Sequence, residues 1–148
     1  MKFDKVTILV KKAELTFEKK ANPLLQNYDL TDAQYKILKY LCAHQTDAVR
    51  QVDLEKYYSM THPTTIGLLD TLEKKGFVIR KPNPADARSR VISLTDKALA
   101  MQEQLSEIGD TLESQFTKAL TEEERVQLVE LLQKLLSSFE EIGNERKM

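Results

Sequence analysis

The feature that most limits the fold of this chain is a change of period at Gly76. Upstream of it, apolar residues recur at helical steps: Tyr35, Ile37, Leu38, Leu41 and Cys42 in one stretch, then Ile66, Leu69 and Leu72 in another. That spacing gathers them on one helix face. Downstream, Phe77-Val78-Ile79-Arg80 and Arg90-Val91-Ile92-Ser93-Leu94 are β-branched runs separated by Pro82-Asn83-Pro84-Ala85-Asp86. Two such runs around a Pro, Asn and Asp cluster predict a hairpin with a broad tip. The chain is therefore expected to be mainly α with one small β-hairpin.

Capping chemistry sets the expected boundaries. Phe3, Val6, Val10, Ala13 and Phe17 predict an amphipathic first helix over residues 3–21, ended by Asn22-Pro23. Thr31 with Gln34 forms a capping box that opens the second helix. A short helix over Val52 to Tyr58 follows, capped by Asp53 or the residues before it. The next starts at Thr61, carries Pro63 in its first turn, where a missing N–H costs nothing, and stops at Gly76. Thr95-Asp96 caps a long helix whose seam is Ala98, Met101, Leu105, Ile108 and Leu112, running loosely to Phe116 and Ala119. Thr121 and Glu124 form a second capping box, after which Val126, Leu128, Val129, Leu131, Leu132, Leu135, Leu136, Phe139 and Ile142 surround the last helix on most sides.

Three short helices followed by a hairpin is the winged helix-turn-helix order, with the helix after Thr61 in the recognition position. The 148 residues suit a single domain, with a DNA-binding lobe over residues 31–95 and flanking helices over 1–22 and 96–142. A last helix so apolar needs partners on two faces, and one small domain supplies one. The flanking helices are thus expected to interlock with a second copy as a homodimer.

Charge sharpens this reading. The net charge of −1 argues by itself against a nucleic-acid binder. Residues 74–90, however, carry a local charge of +5, while residues 95–148 carry −6. Thr61, His62, Thr64 and Thr65, at the start of the recognition helix, offer small or flat hydrogen-bonding groups to base edges or phosphates, although a Thr-rich first turn also serves as a plain cap. Arg88 and Arg90 at the hairpin tip suit a narrow minor groove. Asp86 stands as their support: it either aims an arginine or merely braces the tip.

The run from Asp70 to Thr95 resembles the MarR family of transcriptional regulators. Leu72, Glu73, Lys75 and Gly76 match its helix ending, Asp86 and Arg88 its wing, and Leu94 and Thr95 the wing's close. Tyr28 to Leu41 resembles the family's second helix, and the helix and wing are most similar to multidrug-efflux repressors. The resemblance implies a triangular homodimer, joined by its terminal helices, on a roughly palindromic operator in double-stranded DNA. It also implies a repressor that a small phenolic or cationic effector releases. Gly67 departs from the pattern, standing where many relatives carry a polar or basic side chain, so a base-reading side chain is lost there and specificity is expected to rest more on His62, Thr64, Thr65 and the wing, or on operator shape.

Other residues have competing roles. Cys42 fits a small core residue better than a redox sensor, and as the single cysteine it excludes an internal disulfide. His44 fits a helix C-cap. Tyr35, Tyr57, Phe17 and Met101 could wall an effector pocket or belong to the core. The spacing of the two histidines implies no metal, no cofactor is called for, and no nucleophile-base pair or phosphate loop suggests an enzyme. No apolar run is long enough for a signal or a membrane span, so a cytoplasmic protein without membrane contact is expected. A winged helix that binds protein instead of DNA remains the alternative, as does a cysteine-based redox regulator.

Overall fold

The structure, a computed structural model, describes the backbone of residues 5–147 and side chains over residues 5–139. The expected helix positions of Phe3 and of the Ile142 side chain lie outside the described residues. The chain divides into two compact units, Met1–Asp110 and Thr111–Met148.

In the first unit, α1 (Val6–Gln26) buries Ala21 and Leu25 and leaves Val6, Ile8, Leu9, Val10 and Leu15 exposed. It runs through Pro23 instead of ending there. An interior proline costs about 3 kcal/mol. The extra turn recovers part of that by burying Leu25 completely and by offering the Leu25 carbonyl to the amides of Tyr28 and Leu30 at 2.9 and 3.2 Å. The amide of Asp32 donates to Asn22 Oδ1 at 3.0 Å, tying the end of α1 to the start of α2 (Asp32–Ala43). There the expected capping box forms, with the Thr31 amide 3.1 Å from Gln34 Oε1 and the Gln34 amide 3.3 Å from Thr31 Oγ1. Tyr35, Ile37, Leu38 and Leu41 are buried, and Cys42 is half-buried. His44 ends the helix as expected, its Nδ1 lying 2.8 Å from the Tyr40 carbonyl and its ring stacked on Tyr40.

The next helix, α3 (Gln51–Tyr58), is capped from Arg50, whose amide donates to Asp53 Oδ2 at 2.8 Å. Ser59, at φ 54°, turns the chain into α4 (His62–Lys74). Leu69 and Leu72 face the core together with Phe77 and Val78, while Ile66 is only half-buried. The helix stops at Gly76, whose φ of 82° is strained for any residue with a Cβ.

Strand β1 (Val78–Asn83) pairs antiparallel with β2 (Asp86–Leu94), Val78 opposite Leu94 and Pro82 opposite Arg90, and the register slips between Pro82 and Asn83. The strands reach further than expected, so the tip is narrow. A third short pairing joins Arg50 to Val91, with the Ile92 amide donating to the Val49 carbonyl at 2.8 Å. Thr95 closes the hairpin through its amide on the Phe77 carbonyl and its hydroxyl on that of Gly76.

The expected long helix after Thr95 is broken at Met101 into α5 (Asp96–Ala100) and α6 (Gln102–Phe116). Met101 donates its amide to the Ala98 carbonyl three residues back, a tighter turn that ends the α-helical ladder before Leu105 bonds back to Met101 and restarts it. In the second unit, α7 (Glu122–Lys147) begins with the expected box, the Thr121 amide 2.9 Å from Glu124 Oε1 and the Glu124 amide 3.1 Å from Thr121 Oγ1. Leu131, Leu136 and Phe139 on it are 60%, 63% and 71% exposed. No helix among the described residues is long and apolar enough to cross a membrane.

Candidate nucleic-acid interface

The start of α4 and the arginine-bearing hairpin are apart in the sequence, and the fold brings them together with Arg50 in one groove. This groove, 680 Å³ in volume, is lined by Arg50, Gln51, Glu55 and His62 on one side and by Arg80, Arg88 and Arg90 on the other. His62 and both wing arginines are thus brought together.

The start of α4 presents exposed Thr61, His62 and Thr64. Thr61 caps the helix by accepting the Thr64 amide at 3.3 Å, and its hydroxyl donates to that of Thr64 at 2.9 Å. Both threonines keep an outward edge at an electropositive helix end. His62 Nδ1 lies 2.9 Å from the largely buried Glu55 carboxylate and 2.9 Å from the side-chain amide of Gln51. Donation to Glu55 is the stronger, charge-assisted choice. It leaves the Nε2 edge, on the far side of a ring that is 67% exposed, directed away from these anchors.

Thr65 does not join them. It is fully buried, its hydroxyl donating to the Thr61 carbonyl at 3.0 Å, so it belongs to the inward stripe with Leu69 and Leu72. The reason is angular: residues four apart share a helix face, and Leu69 is the fourth residue after Thr65.

On the wing, Arg88 is 94% exposed at its side chain, with Nε 3.5 Å from Asp86 Oδ1. The same carboxylate oxygen accepts the Arg88 amide at 3.0 Å. Asp86 thereby shapes the tip while the guanidinium stays in solvent. Arg90 is exposed one alternation further along β2.

The remaining positive charge of this segment is partly spent inside the molecule. Arg80 reaches back to α4, binding Asp70 at 2.5 Å and Glu73 at 3.2 Å, and its guanidinium holds the Glu73 carboxyl below the usual range. Lys75 donates to the Asp29 carbonyl at 2.6 Å and to Gln34 Oε1 at 3.1 Å. Arg50, which lies outside the basic run, adds a charge to the groove instead, its Nη2 donating to Asp53 Oδ1 at 3.1 Å. Burial pushes the Asp53 carboxyl up, but hydrogen bonds from the Arg50 amide and guanidinium outweigh this and hold it low. The only trace of Arg50 in the sequence is its three-residue spacing from Asp53, a common pairing.

Of the four side chains expected to wall an effector pocket, Tyr35 lines a cavity of 270 Å³ with Lys39, Cys42, Gln102, Leu105 and Asp110. Burial pushes the Tyr35 phenol up to about 12, and its hydroxyl donates to the Leu105 carbonyl at 2.9 Å. Burial likewise pushes the Cys42 thiol up. Tyr57 is 66% exposed and packs on Tyr40 and Tyr58 instead.

The MarR family matches residues 30–89. The multiple antibiotic resistance protein MarR of Escherichia coli K12 is 37% identical over 117 residues, covering 78% of this chain and 79% of that protein. Among solved structures, S. aureus MepR in complex with DNA superposes with a TM-score of 0.81 at 32% identity, covering 91% of this chain and 96% of that one. A mutant MarR from E. coli complexed with operator DNA gives 0.76 at 34% identity, covering 86% and 91%. With its helix-turn-helix, its wing and these relatives in agreement, the chain is a member of the MarR family of winged helix-turn-helix transcriptional regulators.

Proposed function

We propose that this chain works as a homodimer that binds a roughly palindromic operator, laying α4 in the major groove and the wing in the adjoining minor groove, and represses transcription until a small molecule releases it. The observation that carries the reading is the single groove on which His62, Arg50, Arg88 and Arg90 converge, beside the exposed Thr61 and Thr64. Arginines there supply phosphate neutralisation and minor-groove contact, and the helix start supplies hydrogen-bonding groups to base edges. Relatives solved on DNA favour the same partner.

The exposed apolar residues of α1 and α7 support the second copy, because a monomer would leave them in water. The cavity beside Tyr35 is a place for a small aromatic effector, with Lys39 and Asp110 as its charged groups.

The test starts from a duplex selected out of random sequence by the protein itself. Fluorescence anisotropy at about 150 mM salt should show that duplex bound at least roughly a thousandfold more tightly than a scrambled one. Equal affinity for the two would overturn the reading. Sedimentation should show a dimer in the absence of DNA.

A further inference from the structure

Gly67 sits in the interior of α4, a 13-residue helix, and is exposed. Glycine in an exposed helix interior is less stable than alanine, because it forfeits more backbone entropy on folding. A constraint of the fold could justify that loss, and at other glycines one does: Gly76 needs its positive φ, and a Cβ on Gly109 would fall 2.6 Å from the Tyr35 hydroxyl. A Cβ on Gly67 would meet nothing within 4 Å. The folded chain itself gives no reason for the missing side chain.

The surroundings of Gly67 supply one. Thr64 lies three residues before it and Thr71 four after, so the three share the outward face of α4. The Thr71 hydroxyl donates to the Gly67 carbonyl at 3.0 Å, which turns it back onto the helix. Asp70 and Glu73, the acids of the same helix, are held by Arg80. The middle of the recognition helix therefore has low relief, and its acidic charge is neutralised from the wing.

We infer that Gly67 is a specificity-determining position, where the bare backbone of the recognition helix lies against base edges in the major groove too closely for a Cβ. The inference rests on the DNA-binding reading above and adds how the middle of α4 takes part. Contact at that distance selects by shape: a protruding base edge opposite Gly67 is tolerated and one more carbon on the helix is not.

The Gly67→Ala variant separates fold from function because its two effects have opposite sign. In the free protein, thermal unfolding should move up by a few degrees, as for a glycine replaced at a compatible helical position. Binding to the duplex selected by the parent should weaken about tenfold, while binding to a scrambled duplex and the salt slope stay at parental values, since no charge is altered. Raised thermal stability with parental affinity for the selected duplex would overturn this inference alone. A fall in both stability and affinity would assign Gly67 to the fold and overturn it as well. A parent protein that does not distinguish the two duplexes would remove the DNA-binding reading beneath it.

Discussion

Arg88→Ala isolates the wing's contribution to binding with little disturbance of the fold. The side chain is 94% exposed and its ion pair with Asp86 is open to solvent. Such a pair contributes about 0 to 1 kcal/mol, so the variant should keep the parental melting temperature to within a few degrees. Each protomer loses one cation, and each phosphate contact on B-DNA contributes about −0.9 to the slope of log K against log salt. In a dimer with two wings the slope should become shallower by roughly 2. Between about 50 and about 200 mM salt this makes the affinity gap between parent and variant close by roughly tenfold. Fluorescence anisotropy over that range, on selected and scrambled duplexes, measures it. Parental affinity and parental slope on both duplexes would show that the wing does not touch DNA, and the groove argument would lose its main support.

Three further outcomes follow from the same structure. Thr65→Ala, which removes a buried hydroxyl and its 3.0 Å bond to the Thr61 carbonyl, should cost about 1 to 2 kcal/mol in denaturant unfolding without changing preference between duplexes; a change in base preference with parental stability would contradict its burial. Tyr35 has its pKa raised by burial to about 12 from 10.0, so its neutral form is favoured by folding: its contribution is complete below pH 10.0 and is lost as the pH rises through about 12. Tyr35→Phe should cost about 1 kcal/mol near neutral pH and flatten that alkaline loss, as read by chemical unfolding at several pH values. Because burial raises the Cys42 thiol, little thiolate is available to oxidants, and Cys42→Ser should retain both operator affinity and effector response; peroxide-triggered release in the parent that the variant lacks would refute this.

Local chemistry made much of the molecule legible in advance. The capping boxes at Thr31 and Thr121, the stop at Gly76, the β-branched runs of the hairpin and the exposure of Arg88 each depend on residues within a few positions of one another, and so do the physical forces behind them. The resemblance carried by Leu72 to Thr95 is likewise a property of the string of residues. Where local chemistry does not predict the structure, tertiary packing decides. Pro23 remains inside α1 because Leu25 finds a buried place. Ile66 looks a better core residue than Thr65 by composition, whereas the packing of α4 turns Thr65 inward and leaves Ile66 at the margin. Arg50 and Glu55 entered the candidate site, and Arg80 was drawn off to the acids of α4, only once the hairpin folded against α3 and α4. The amino-acid sequence by itself determined which elements form and which charges the chain owns. Tertiary structure decided which of those charges remain free for a partner, because that depends on distances between residues far apart in the chain.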